Sequence, residues 1–137
     1  MADHRNDLDE MIALARQALA RAHAPYSGFR VGACLRTDTG RLYAGCNVEN
    51  AAYPQGQCAE ATAVGAMVSG GDRRIVEAVI ASEGTEPCAP CGGCRQRLCE
   101  FAGPEARVHL VGPEGLRLTT TLGELLPLAF DRRTLGR

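Results

Sequence analysis

Helical and extended patterns alternate along this chain, and the alternation restricts its fold more than any other feature. Apolar residues at helical spacing predict an amphipathic helix over residues 8–22, with Asn6 or Asp7 capping its start and Pro25 marking its end. Two strand-like segments follow at 30–37 and 41–48. The three residues between them include a glycine, which predicts a β-hairpin.

The second half of the chain continues the same alternation. Proline-free and glycine-terminated stretches predict helices, and short apolar runs predict strands. In order, these are a helix at 58–68, a strand at 75–82, a helix at 91–101, strands at 108–111 and 116–120, and a short helix from Leu122. This order predicts an α/β fold in which helices cover a sheet.

The length fits one domain. At 137 residues the chain can bury a core without a metal or disulfides, and it shows no repeat and no linker. We expect a single domain over residues 1–137, with 126–137 as a C-terminal tail or interface segment. A metal site in such a chain is more consistent with function than with holding the fold together.

Charge and composition restrict the partners. The 15 basic and 16 acidic residues nearly cancel, and only 4% of the residues are aromatic, which argues against a nucleic-acid partner. The first ten residues are polar, and no apolar stretch has the length of a membrane span. We therefore expect a small near-neutral substrate and a cytoplasmic protein, where the seven cysteines are thiols or metal ligands.

Two cysteine motifs lie at predicted helix starts. The first is Cys58-Ala-Glu60, and the second is Pro-Cys-Gly-Gly-Cys with Cys91 and Cys94. Helix N-termini favour thiolates, and three converging thiolates would bind zinc with one position left open, as a catalytic zinc requires. Glu60 would lie beside the metal and carry protons to and from bound water.

The second motif can be aligned in two registers. Pro-Cys-x-x-Cys pairs Cys88 with Cys91 when it begins at Pro87, and Cys91 with Cys94 when it begins at Pro90. In the upstream register Pro90 falls between the ligands and removes an N–H group, whereas the downstream register places two glycines there. We therefore predict that Cys91 and Cys94 are ligands and that Cys88 is not.

These motifs are similar to those of the small, homotetrameric, three-cysteine cytidine deaminases, and the resemblance covers nearly the whole chain. A Cys-x-Glu motif followed by Pro-Cys-x-x-Cys is the signature of zinc nucleobase deaminases. The matching segments, in the family's order, are PYSGFRVGA at 25–33, GCNVENAAY at 45–53, CAE at 58–60, PCGGCRQ at 90–96 and LLPLAF at 125–130.

The resemblance implies a cytidine deaminase-like fold, with a central mixed five-stranded sheet flanked by helices, and one Zn²⁺ per subunit. Cys58, Cys91 and Cys94 match the zinc ligands, and Glu60 matches the proton carrier. The implied reaction is the hydrolytic deamination of cytidine and 2′-deoxycytidine to uridine and 2′-deoxyuridine, with release of ammonia, in pyrimidine salvage. The alternative within this class is a modified cytidine or a nucleoside antibiotic, as in blasticidin S deaminases.

The resemblance also implies the substrate contacts and the assembly. Asn47 and Glu49 match residues that hydrogen-bond the ribose 3′-hydroxyl, and without the resemblance they could equally be turn residues. Phe29 matches an aromatic near the base, and the Ala59 backbone matches a group that binds the pyrimidine edge. Phe130 matches a residue that reaches a neighbouring subunit's site, which implies a homotetramer with shared active sites.

One position departs from the family pattern. Members commonly have arginine after the catalytic glutamate, where this chain has Ala61. Three thiolates on Zn²⁺ leave a formal charge of about −1, which makes the metal a weaker Lewis acid. We hypothesise that Arg95, Gln57 or the two helix N-termini compensate by donating hydrogen bonds to the sulfurs.

Three other classes of function remain open at this point. Cys91 and Cys94 could form a redox dithiol, although that leaves Cys58 and Glu60 unexplained. A structural zinc site would need a fourth ligand, for which Cys88 is the nearby candidate. A polynucleotide-editing deaminase shares the zinc motif but would need a basic groove and aromatic platforms. The remaining cysteines are interpreted as small apolar residues, namely Cys34, Cys46 and Cys99.

Overall fold

The computed structural model describes residues 4–137. Its elements, in chain order, are α1 (His4–Ala20), β1 (Val31–Thr37), β2 (Leu42–Cys46), a 3₁₀ turn (Tyr53–Gln55), α2 (Ala59–Ser69), β3 (Ile75–Ser82), α3 (Gly92–Phe101), β4 (Arg107–Gly112), β5 (Gly115–Thr121) and α4 (Leu122–Leu125). Within the described range, no helix is both long enough and apolar enough to cross a membrane.

The strands form one mixed five-stranded sheet in the order β2-β1-β3-β4-β5. Strands β3 and β4 pair in parallel, whereas β1 pairs antiparallel with both of its neighbours and β5 pairs antiparallel with β4. The parallel pair requires a crossover, and α3 provides it. The predicted α/β class and the mixed sheet flanked by helices are confirmed.

The helices cover both faces of this sheet. α1 packs on one face, where Met11 and Ala15 meet Val79, and α2 and α3 pack on the other. Glycines permit the close contacts: a Cβ on Gly32 would lie 1.9 Å from the Ala15 carbonyl oxygen of α1, and a Cβ on Gly45 would lie 2.5 Å from the Ala63 nitrogen of α2. Any larger residue at either position would push a helix off the sheet.

The predicted elements are all present, and their bounds differ by one or two residues except at the first helix. That helix begins at His4, so Asn6 and Asp7 lie within it and the predicted cap at these residues is wrong. It also ends at Ala20, two residues earlier than predicted. The polar residues at its start adopt helical backbone without contributing apolar periodicity, which is the signal on which the prediction depended.

A charged network lies on the α1 face of the sheet, beyond the end of that helix's apolar contacts. Glu77 on β3 accepts hydrogen bonds from Arg36 Nη2 at 2.7 Å and from His109 Nε2 at 2.5 Å. The other imidazole nitrogen, Nδ1, lies 2.9 Å from Thr119 Oγ1. His109 and Arg36 together hold the pKa of Glu77 at about 2, well below its usual value.

Replacing Glu77 with glutamine is expected to lower the free energy of unfolding at pH 7 by about 2 kcal/mol. The folded pKa is below the unfolded value of about 4.3, so the stabilisation is present above pH 4.3 and is lost as the pH falls towards 2. Urea unfolding of both proteins at pH 7 and pH 3 measures it, and the difference between them should shrink at the lower pH.

Glu105→Gln is the matched control, because the Glu105–Arg74 ion pair is exposed and should contribute less than about 0.5 kcal/mol. If the difference between the wild-type protein and Glu77→Gln were the same at pH 7 and pH 3, the stabilisation would not come from the Glu77 charge.

Candidate metal centre

Three cysteine sulfurs converge where two helices begin. Cys58 and Cys91 directly precede α2 and α3, and Cys94 lies in the first turn of α3. The three Sγ atoms lie within 4.8 Å of one another, and Cys58 Sγ is 3.8 Å from Cys91 Sγ. The fold thus brings together the three cysteines that the sequence singled out.

The donor set fits zinc. Tetrahedral coordination with Zn–S bonds of about 2.3 Å places two sulfurs about 3.8 Å apart. The observed Cys58–Cys91 separation has this value. Cys88 is half-buried and its sulfur does not belong to the group, so the described residues offer three cysteine ligands and leave the fourth position open, as in a catalytic zinc site.

The three thiols differ in their surroundings. The backbone N–H of Cys94, at the start of α3, lowers the pKa of Cys91. Burial raises the pKa of Cys58, and it raises that of the fully buried Cys94 much further. Metal binding would displace these protons, so zinc affinity should fall as the pH falls.

Glu60 lies in the first turn of α2, two residues after Cys58. Glu60 is only 4% exposed, and this burial raises the pKa of its carboxyl above the usual value. The charge of Glu60 in turn raises the pKa of all three thiols. A carboxylate whose pKa is raised by burial holds a proton more readily than an exposed one, which suits a group that accepts and releases protons.

Arg95 and Gln57, which we hypothesised to donate to the sulfurs, have other hydrogen-bond partners in the structure. Arg95 donates from Nε to the Pro90 carbonyl at 2.7 Å and from Nη1 to the Leu125 carbonyl at 2.8 Å. Gln57 Nε2 donates to Thr62 Oγ1 at 2.8 Å. Arg95 therefore holds two backbone carbonyls near the site, and Gln57 is bonded to a side chain of α2.

Arg97 makes the contact that Arg95 was expected to make. Its Nη1 lies 3.6 Å from Cys94 Sγ, within hydrogen-bonding range for sulfur. Sequence reasoning missed this residue, although the signal was present, since residues three apart on a helix share a face. Of the two helix N-termini, the third part of the hypothesis, the start of α3 provides such a bond through the effect of the Cys94 N–H on Cys91.

Asn47 and Glu49 follow β2 and are held by hydrogen bonds within the chain. Asn47 accepts from the Val31 N–H at 2.9 Å and donates to the Phe29 carbonyl at 2.9 Å. Glu49 Oε1 accepts from the N–H groups of Tyr26 and Ser27 at 3.0 and 3.1 Å, and Oε2 accepts from the Ser27 hydroxyl. These bonds lower the Glu49 pKa and keep it ionised.

An open cleft of about 380 Å³ lies beside Glu49 and is bordered by Tyr26 and Tyr53, whose ring centroids are 6.0 Å apart. Phe29 is 40% exposed and Ala59 is buried as the first residue of α2. Phe130 is 57% exposed in the C-terminal segment, where its carbonyl accepts a hydrogen bond from Gln96 Nε2 at 2.8 Å. Of the predicted substrate contacts, Glu49 lines this cleft, whereas Phe29, Ala59 and Phe130 are not among the residues that line it.

Comparisons with known proteins agree with this architecture. The family model for the zinc-binding region of cytidine and deoxycytidylate deaminases matches residues 5–110. The cytidine deaminase of Sporosarcina psychrophila is 40% identical over 95% of this chain and 96% of its own length. That of Mycobacterium tuberculosis is 44% identical over 90% of this chain and 89% of its own length.

Solved structures give the same result. The crystal structure of cytidine deaminase from Burkholderia pseudomallei superimposes with a TM-score of 0.83 at 40% identity, covering 95% of this chain and all of the other. That of M. tuberculosis gives a TM-score of 0.78 at 40% identity, over 90% of this chain and 97% of the other. The order of elements, the thiol cluster and these similarities lead to one assignment: the chain belongs to the cytidine and deoxycytidylate deaminase family.

Proposed function

We propose that this protein is a zinc-dependent enzyme that deaminates cytidine and 2′-deoxycytidine. Water replaces the amino group on C4 of the base, so cytidine and water give uridine and ammonia, and deoxycytidine gives deoxyuridine. The observation that carries the proposal is the cluster of three thiols at two helix starts beside the buried Glu60, in a chain whose relatives are named cytidine deaminases. Such a reaction serves pyrimidine salvage.

Cys58, Cys91 and Cys94 would hold one Zn²⁺ per subunit. When bound, Zn²⁺ supplies Lewis acidity that lowers the pKa of a coordinated water molecule towards neutrality. The chain's own contribution is to fix three sulfurs with two helix N-termini, so that the ligands do not have to be ordered when substrate arrives.

Glu60 carries the protons. Its carboxylate takes one proton from the attacking water and delivers it to N3 of the pyrimidine. It then takes the remaining proton from the new hydroxyl on C4 and gives it to the amino group, so that the C4–N bond breaks, ammonia leaves and a carbonyl remains at C4. Burial suits this role, because a carboxyl whose pKa is raised towards the working pH both accepts and releases protons.

Asn47, Glu49, Phe29 and Ala59 would bind the nucleoside. Glu49 keeps its charge and can accept a hydrogen bond from the ribose 3′-hydroxyl, with Asn47 beside it. Their bonds to the backbone at 26–31 support the proposal, since groups that are already held in place lose little entropy on binding. Phe29 would pack near the base, and the Ala59 N–H, in the first turn of α2, is free to bind its edge.

A homotetramer with shared active sites is part of the proposal. Phe130 would reach a neighbour's site, and residues 126–137 would form part of the interface. The exposure of Phe130 and of Leu128, which is fully exposed, supports this idea, because large apolar side chains at a surface often mark contacts. Light scattering of the purified protein measures the assembly. A cytoplasmic location is also proposed, since a reducing compartment keeps such a thiol cluster from oxidising.

The decisive experiment compares four compounds. Zinc-loaded protein is incubated with cytidine, deoxycytidine, cytosine and blasticidin S, while ultraviolet absorbance and ammonia release are followed. We expect turnover of the first two, slow or no turnover of cytosine because it lacks the ribose, and none of the antibiotic, since the similar curated relatives are named cytidine deaminases. Failure to turn over either nucleoside, in a sample shown to contain zinc, would contradict the proposal.

A further inference from the structure

The guanidinium of Arg97 faces the metal centre instead of a carboxylate. Its Nη1 lies 3.6 Å from Cys94 Sγ, and among residues 4–137 it forms no salt bridge. On a helix surface an arginine can pair favourably with an acid three or four residues away. The guanidinium of Arg97, an exposed helical arginine, contacts the buried Cys94 thiol instead.

The negative charges around the thiol cluster explain why a guanidinium lies there. With Zn²⁺ bound by the three cysteines, the thiolates and the Glu60 carboxylate would place four negative charges around one metal ion. Cys94 is fully buried, so its thiolate is the ligand most in need of a compensating charge. Arg97 is also close enough to Glu60 for its charge to act on that carboxylate.

We propose that Arg97 is a positioning residue for the zinc site: it hydrogen-bonds the Cys94 sulfur and offsets part of the negative charge of the ligand set. The proposal rests on the zinc site of the proposed function. Arg97 would supply the positive charge that the residue after Glu60 does not supply in this chain, since that residue is Ala61. The positive charge comes from α3 rather than from α2.

The neighbouring residues are consistent with this role. Arg95, the other arginine near the ligands, is committed to the carbonyls of Pro90 and Leu125 and does not reach a sulfur. Gly93 leaves room for Arg97, because a Cβ on Gly93 would lie 3.3 Å from Arg97 Nη1, closer than most contacts of this kind. The glycine next to the ligand thus permits the guanidinium to lie over the first turn.

The test compares Arg97→Gln and Arg97→Lys, with Arg21→Gln as the control for loss of one exposed arginine, in the turn directly after α1. Zinc affinity is measured by competition with a chelator. Loss of a group that supports a ligand typically weakens metal binding about 10- to 100-fold, and we expect at least about 10-fold for Arg97→Gln. Arg97→Lys keeps the charge and should stay within about threefold of the wild-type protein.

Cobalt-substituted protein gives a readout that a merely structural role would not change. Without the hydrogen bond, the Cys94 sulfur becomes a better electron donor, so the sulfur-to-cobalt charge-transfer absorption of Arg97→Gln should move to longer wavelength. Equal zinc affinity and an unchanged cobalt spectrum in Arg97→Gln would overturn the inference, as would Arg97→Lys binding zinc as weakly as Arg97→Gln. If the wild-type protein itself bound no zinc, the proposed function would fail instead.

Discussion

Glu60→Gln is expected to lower kcat for cytidine about 10²- to 10⁴-fold, the usual contribution of a positioned acid-base group. Glutamine has nearly the same shape and fits the buried space at the start of α2. It cannot take a proton from water or deliver one to N3 of the base. The rate is measured by loss of ultraviolet absorbance at saturating cytidine, so that weaker binding does not enter the result.

Zinc content separates this effect from damage to the site. The Glu60 charge raises the pKa of the three thiols, so its removal should leave zinc binding intact or tighter. Glu10→Gln, an exposed substitution on α1, should change neither property. A Glu60→Gln protein that kept more than about a tenth of the wild-type kcat would mean that another group carries the protons.

The regular elements could be predicted because local patterns decide them. The strand Ile75–Ser82 was predicted at its observed bounds, since an apolar run enclosed by turn residues has few other structures available. The sequence does not reveal the network of Arg36, Glu77 and His109 in the same way. These residues meet only through the register that pairs β3 with both β1 and β4, and such register is a property of the whole sheet.

The candidate metal site also has parts that local sequence predicts and parts that it does not. The spacing of Cys91 and Cys94 and the position of Glu60 after Cys58 are local, so the thiol cluster and the glutamate next to it in the sequence could be predicted. The arginine that contacts a ligand sulfur could not be predicted in this way. Arg95 and Arg97 lie one and three residues after Cys94, and which of them reaches the sulfur depends on helix phase and on the Leu125 carbonyl, which comes from a distant part of the chain.

Cys91→Ser and Cys94→Ser are expected to lose zinc and deaminase activity together. A serine hydroxyl stays protonated at neutral pH and is a poor zinc ligand, whereas ligands must be deprotonated. Zinc affinity should fall by more than about 100-fold, the upper figure for groups that merely support a ligand. Metal content after dialysis and the initial rate with cytidine measure the two effects, and circular dichroism checks that each variant is folded.

Cys88→Ser is the matched control, because it makes the same chemical change three residues before Cys91, outside the group of three sulfurs. Its zinc affinity and rate should stay within about twofold of the wild-type values, the range of substitutions that touch no special feature. If Cys88→Ser released zinc while Cys94→Ser kept it, the ligand pair would be Cys88 and Cys91. The polypeptide would then have to hold a metal with Pro90 between its ligands, and Arg97 would contact a thiol with no part in catalysis.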